Sequence, residues 1–115
     1  NMDQIARTDP DEMFLGGVWD SNPWKRLIAK LNKRVGSPLK VETDGHKDMY
    51  TRSDQWAFAQ KEVPAIFFFE GNIDKNKVYH KPGDVADSIL TEKVMWIARL
   101  FVATAWSVAW EGERP

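Results

Sequence analysis

The sequence predicts an α/β fold that ends in a long helix. The predicted elements follow the order helix, strand, helix, strand, helix, which is typical of a sheet covered by helices. Residues 63–69 form a continuous apolar run, which indicates a strand buried on both faces. Residues 94–110 are nearly all apolar but are short for a membrane span and include Arg99. We therefore expect a buried helix there and no transmembrane segment.

Composition limits the size of the domain, its partners and its metal chemistry. With 115 residues the chain is one domain or a piece of one, and 43% hydrophobic residues suffice for a core. The 16 basic and 17 acidic residues give a net charge of −1, which offers no electrostatic basis for binding nucleic acid or an anionic membrane. The chain has two His and no Cys, so a metal site would have to use imidazole and carboxylate ligands.

The first part of the chain predicts the end of a strand and then a helix. Residues 2–5 are typical of a strand end, and residues 7–12 form a polar loop. Residues 20–23, Asp-Ser-Asn-Pro, combine a capping side chain with Pro in the first helical turn. This pattern predicts a helix over residues 23–34, which Gly36 ends.

The middle of the chain predicts two strands separated by a short helix. Residues 39–42 alternate in polarity, as a short strand does. Ser53 or Asp54 can cap a helix over residues 55–61. The apolar strand of residues 63–69 follows.

The last part of the chain predicts a loop and the long helix. Residues 71–82 form a polar loop, and residues 84–90 form a helical turn. Thr91 caps the final helix, and residues 111–115 form a tail. The apolar side of this helix is predicted to comprise Val94, Ile97, Ala98, Phe101, Ala105, Val108 and Ala109. The side of the helix that carries its Trp residues is too aromatic for a free surface. We therefore expect protein outside this chain, or a second copy, to cover Trp96, Trp106 and Trp110.

One segment concentrates side chains that can carry chemistry. Tyr79, His80 and Asp84 lie in a Pro/Gly loop that follows the carboxyl end of the apolar strand, and ligands bind at that edge of open α/β sheets. A zinc-binding His usually donates its other N–H to a carboxylate, and Asp84 is placed to accept it. Tyr79 can donate a hydrogen bond to a polarised carbonyl oxygen. The alternative is a surface loop with a solvated His, and we read the second histidine, His46, as exposed and unimportant.

Two further carboxylates are candidates for the same site. Asp3 follows the strand end, where it can be a ligand or a plain cap. Asp54 follows Arg52 and Ser53, and its alternative role is a helix cap paired with Arg52. We therefore place Asp54, like Asp84, as a support for the site and not as a ligand. The run of Phe at residues 67–69 is most simply core.

Together, these clusters resemble the two-zinc aminopeptidases, peptidase family twenty-eight of the metallopeptidases, which is related to glutamate carboxypeptidases and glutaminyl cyclases. The similarity covers nearly the whole chain. Each motif is weak singly, but four motifs in order with plausible spacing are specific. They are Asn-x-Asp at residues 1–3, Arg-Ser-Asp-x-x-x-Phe at 52–58, Pro-Ala with an apolar strand and Gly at 64–71, and Tyr-His-x-x-x-Asp at 79–84.

The resemblance implies a fold, an activity and a metal. The fold would be a partial mixed-sheet sandwich of the zinc exopeptidase type with a long C-terminal helix. Residues 1–115 would be the C-terminal portion of a single catalytic domain that removes N-terminal residues from peptide substrates. The intact domain would hold two zinc ions, which share and acidify a water molecule. Export to the periplasm or the extracellular space is also implied.

The resemblance also assigns roles to individual residues. Asp3 matches a carboxylate ligand of one zinc, and His80 matches the imidazole ligand of the other. Tyr79 matches a residue that stabilises the developing oxyanion in some members. Arg52 and Phe69 match positions near the substrate in some members.

The chain departs from the family pattern in ways that bear on activity. Gln4-Ile5-Ala6 stands where Met-Ile-Gly is usual, and Gln55 stands where His is frequent. The His-x-Asp ligands, the bridging Asp and the Glu-Glu pair with the general base have no match here. We expect the missing N-terminal half to supply them, this chain alone to be inactive, and its exposed apolar faces to drive self-association. Two alternatives stay open: a non-catalytic binding or structural homologue, and a glutaminyl-cyclase-like acyltransferase.

Overall fold

The computed structural model describes residues 1–112, so the last three residues of the predicted tail lie outside the described part. It has three strands, four α-helices and two 3₁₀ turns. The strands are β1 (Glu12–Gly16), β2 (Lys40–Glu42) and β3 (Phe67–Phe69). The helices are α1 (Asn22–Arg34), α2 (Lys47–Tyr50), α3 (Gln55–Ala59) and α4 (Thr91–Ala109), and the turns are Ile73–Lys75 and Ala86–Ser88.

The sheet is mixed and has the strand order β2-β1-β3. β1 runs parallel to β2, with Phe14 opposite Glu42, and antiparallel to β3, with Phe14 opposite Phe69. Met2 adds one parallel bridge to Phe68 on the far side of β3. The predicted α/β class is therefore confirmed, and the sheet is of the mixed type.

The central strand is the element that sequence patterns did not indicate. The prediction treated residues 7–12 as a loop and assigned nothing to residues 13–16, yet β1 pairs with both other strands. Its inner residues Met13, Phe14 and Leu15 are all at most 1% exposed. A buried strand this short has neither alternation nor length to distinguish it from a loop between turns. The strand predicted at residues 2–5 is reduced to the bridge at Met2.

Helix α1 matches its prediction within one residue. The Ser21 side chain accepts a hydrogen bond from the Trp24 backbone N–H at 3.4 Å, so it is the expected cap. Gly36, at φ +67°, follows the last turn in the left-handed region that favours glycine. The buried residues of the helix, which pack against the sheet and α4, are Leu27, Ile28 and Leu31.

β3 separates two hydrophobic clusters. Phe68 packs with the cluster that includes α1 and α4, whereas Phe67 and Phe69 pack with Phe14 and Tyr50 on the other face. The prediction of a strand covered on both faces is therefore confirmed. The strand is shorter than predicted because Pro64 has no N–H for a sheet and the chain before Phe67 leaves the ladder.

The long helix α4 exists as predicted, but its buried stripe is rotated. The residues that face the interior are Lys93, Ile97, Leu100, Thr104 and Ser107. Of the predicted apolar side, only Ile97 is fully buried, because Lys93, Thr104 and Ser107 occupy inward positions and find hydrogen-bond partners there. The Thr104 hydroxyl, for example, donates to the Leu100 carbonyl at 2.7 Å. The helix begins after Leu90, and no side chain caps it, so the predicted Thr91 cap is wrong.

The outer face of α4 stays open. Trp106 and Trp110 are 54% and 76% exposed and stack on each other, with ring centroids 5.5 Å apart. Trp96 is half-buried beneath the Arg99 guanidinium. Covering of this face by other protein stays a prediction. Within residues 1–112, no helix has the length and apolar character that crossing a bilayer requires.

Candidate functional site

Asp3 is placed by the edge of β3. The Asp3 backbone N–H donates to the Phe68 carbonyl at 3.2 Å, and the Phe68 N–H donates to the Asn1 carbonyl at 2.9 Å. The first three residues thus run parallel to β3 and end at the same level. Asp3, which is half-buried, therefore lies where carboxyl ends of two parallel segments meet, the edge that favours ligands.

Ser53 orients the Asp3 carboxylate. Its hydroxyl donates to Asp3 Oδ2 at 2.6 Å, across 50 positions of sequence. The Asn1 side-chain amide then donates to Ser53 Oγ at 2.9 Å and to Gln55 Oε1 at 2.8 Å. Sequence reasoning treated Ser53 as a helix cap and missed this contact, because nothing local links the two segments.

Arg52, the neighbour of Ser53, connects this cluster to the second candidate ligand. Its guanidinium lies 5.8 Å from the centre of the Tyr79 ring and donates to the Tyr79 hydroxyl at 3.4 Å. The Tyr79 ring stacks on the His80 imidazole, with centroids 3.9 Å apart and planes 19° apart. His80 itself is exposed and adopts a left-handed backbone, with φ 54°.

The contacts of Asp84 differ from the predicted ones. Asp84 was expected to support His80, but in the structure its carboxylate forms an ion pair with the Arg7 guanidinium. Arg7 also donates to the Ser88 hydroxyl and to the Val85 carbonyl. Residues 77–85, called here the histidine loop, are therefore tied to residues 4–9, called the N-terminal loop, by Arg7.

Two other predicted site residues serve the structure in different ways from those expected. Phe69 is 1% exposed and belongs to the core, so it offers no surface to a substrate in this chain. Asp54 is exposed at the start of α3 and makes no capping hydrogen bond. Arg52, its predicted ion-pair partner, contacts Met49 Sδ and Tyr79 instead. His46, read as unimportant, is half-buried and packs edge-on against Phe14.

A buried polar cluster beside Asp3 was not predicted. Glu70 is 0% exposed at the end of β3, and its carboxylate accepts from the Arg7 backbone N–H and from the Asn76 side chain. Burial raises the pKa of Glu70, against the opposing hydrogen bonds and the positive charge of Lys93. Lys93 is 1% exposed, and burial lowers its pKa. A Lys in the first turn of a helix, at the positive end of the helix dipole, was the signal available from sequence.

The donor atoms of this edge fit zinc in type but not in number. Asp3 and His80 offer carboxylate oxygen and imidazole nitrogen, which zinc accepts readily. Within residues 1–112, no group of three or more His, Asp or Glu side chains is arranged to hold a metal ion. A catalytic zinc takes about three protein ligands, so these two residues fall short of a complete zinc site.

Comparisons with known proteins identify the fold and the family of the chain. The fold is similar to that of the Legionella pneumophila LapA aminopeptidase, with a TM-score of 0.69 and 23% identity. The match covers 94% of this chain and 30% of that one, so the chain spans less than a third of that aminopeptidase. No curated protein matches the sequence. Peptidase family M28 matches residues 1–105, and the chain belongs to that family.

Proposed function

We propose that this chain is part of a zinc-dependent aminopeptidase-like hydrolase that removes N-terminal residues from peptides. One observation carries the proposal: Asp3 contacts Ser53, the adjacent Arg52 contacts Tyr79, and Tyr79 stacks on His80. These contacts link three segments that are distant in sequence, and two of the segments carry the candidate zinc ligands. Membership of peptidase family M28 supports the same reaction class.

The residues of this edge can divide the work of peptide hydrolysis. Asp3 and His80 would hold metal, and bound zinc would supply an acidified water at neutral pH. The Tyr79 hydroxyl accepts from Arg52, so its own proton stays available for the peptide carbonyl oxygen as negative charge develops there. The Arg52 guanidinium is exposed beside that hydroxyl and fixes the direction of the phenol ring.

Asp3 and His80 are too few to form a catalytic zinc site. Two donors do not complete a catalytic zinc site, so the remaining ligands and the general base would come from residues outside this chain. We expect the 115-residue chain alone to bind zinc no tighter than roughly millimolar and to be inactive.

Zinc content and peptide cleavage of the longer protein that contains this chain test the proposal. We expect Asp3→Asn and His80→Ala each to lower bound zinc and to reduce release of Leu from a Leu-peptide. His46→Ala is the matched control, because His46 packs against Phe14 away from the stacked pair and should leave zinc content unchanged.

Three results would overturn parts of the proposal. Unchanged zinc in both variants would remove Asp3 and His80 as ligands and favour the non-catalytic homologue. Cyclisation of an N-terminal-Gln peptide without cleavage of the Leu-peptide would favour the glutaminyl-cyclase-like alternative. Micromolar zinc binding by the 115-residue chain, abolished by His80→Ala in calorimetry, would show that the chain assembles a site by itself.

A further inference from the structure

Lys93 breaks two local rules at once. Its ammonium is buried, with the residue only 1% exposed, and an unpaired buried charge is costly. It also lies in the first turn of α4, where the helix dipole disfavours a cation. A residue that contradicts its local surroundings in this way is expected where a compensating gain exists.

The compensation is a cage of oxygen atoms. Lys93 Nζ donates to the carbonyls of Arg7 at 2.9 Å, Asp9 at 2.6 Å and Glu70 at 2.7 Å, and to Thr8 Oγ1 at 3.2 Å. Three of the four oxygens belong to the N-terminal loop, and the fourth ends β3. An ammonium has three protons, so the four acceptors engage every proton and at least two of them share one. A free cation bound at this place would need such a set of oxygens. Here the side chain of Lys93 supplies the cation.

The loop that this cation holds is strained and begins directly after Asp3. Gln4 and Thr8 adopt φ angles of 52° and 60°, in the left-handed region that is costly for residues other than glycine. Glu70, whose carbonyl is part of the cage, also donates its backbone N–H to the Gln4 carbonyl at 2.8 Å. Glu70 therefore links the cage to the residue that follows Asp3. Loss of the central cation would free residues 7–9 to relax, and the change would reach Asp3 through Gln4.

We propose that Lys93 is a positioning residue for Asp3, acting as a tethered cation that organises the N-terminal loop. The proposal rests on the metal-binding role given to Asp3 above. His80 lies in the histidine loop, which the cage reaches only through the Arg7 side chain and Asp84, so it serves as a comparison that should respond less than Asp3.

Two measurements on the full chain with Lys93→Met, which keeps a long side chain and removes the charge, test the proposal. The first is hydrogen exchange at the Asp3 amide, which donates to Phe68. We expect exchange there to accelerate roughly tenfold more than at the Leu31 amide in α1, whose acceleration reports the overall loss of stability. The second is broadening of NMR signals by Co²⁺, which uses nitrogen and oxygen ligands and works at weak affinity. Broadening at Asp3 should fall several-fold, and it should fall less at His80.

A chemical rescue separates positioning from a general structural role. In Lys93→Ala, added ammonium ion should slow exchange at the Asp3 amide again, because it can enter the oxygen cage, and it should have no effect on the wild type. If Lys93→Met does not fold, Thr8→Ala, which removes one acceptor, should still accelerate exchange at Asp3 by a smaller factor.

The outcomes distinguish this proposal from the proposed function. Unchanged exchange at Asp3, or equal acceleration at Asp3 and Leu31, would overturn the positioning role. Absence of Co²⁺ broadening at both Asp3 and His80 in the wild type would instead count against the proposed metal site. The exchange measurement would still decide the role of Lys93.

Discussion

The two loops that carry the candidate ligands are built in opposite ways. The N-terminal loop is fixed by buried contacts over long sequence distances, from Glu70 and Lys93. The histidine loop is held mainly by short-range turns, such as Lys81 N–H to the Val78 carbonyl at 2.9 Å, and its residues 80–85 are exposed. Asp3 is therefore set in place before any ligand arrives, whereas His80 sits on a segment that can adjust.

The largest difference between the loops should appear on removal of Lys93. Lys93→Met leaves the oxygens of the cage without a donor, and we expect a loss of roughly 3–5 kcal/mol in the free energy of unfolding, measured with urea. Lys77→Met in the histidine loop is the matched control. Its ammonium is exposed and donates to the Asp74 carbonyl, so the loss should stay within about 0.5 kcal/mol. Similar losses in both variants would mean that the two loops are held equally.

The second effect concerns the charge on Glu70. Because its pKa is raised in the folded protein, its contribution to stability is full below the ordinary value of 4.5 and declines as the pH rises through the folded-state pKa. We expect the unfolding free energy of Glu70→Gln, relative to the wild type, to rise from pH 4.5 to neutrality. Glu62→Gln, at an exposed position, should show no such trend. If the difference in unfolding free energy between Glu70→Gln and the wild type stayed constant with pH, ionisation of Glu70 would have no effect on stability.

Arg7 should affect the two loops unequally. Its side chain is the link to Asp84 and Ser88, while its backbone is held by Glu70 and Lys93. Arg7→Ala should lower stability by about 1–3 kcal/mol and accelerate hydrogen exchange in the histidine loop more than at Asp3. The exposed Arg26 in α1 provides the control substitution. Faster exchange at Asp3 but not in the histidine loop would show that the Arg7 side chain holds the N-terminal loop instead.

The smallest effect should come from Arg52. Arg52→Lys keeps the charge but loses the planar group that lies over Tyr79, so stability should change by only about 0.5–1 kcal/mol. The ring signals of Tyr79 and His80 in NMR spectra should nevertheless shift, since their stack loses its support. Lys61→Arg, at an exposed position beyond α3, should leave both signals unchanged.

The accuracy of the sequence-based predictions follows the range of the interactions. Helix α1 was predicted closely because Ser21, Pro23 and Gly36 are local signals. The candidate site was predicted through short motifs, yet the partners differ: Asp84 pairs with Arg7, and Ser53 serves Asp3. Those choices depend on contacts across 77 and 50 positions, which no local pattern encodes.

The α/β class and the long last helix followed from patterns in the sequence, and the candidate ligands Asp3 and His80 followed from the resemblance to the two-zinc aminopeptidases. Periodicity, caps and motif spacing are properties of neighbouring residues, so they can be read directly from the sequence. The position of β1 at the centre of the sheet and the inward direction of Lys93, which holds the N-terminal loop, were evident only from contacts in the folded protein. Burial of a polar group is stabilising only when distant partners satisfy it, so packing alone reveals which polar residues belong inside.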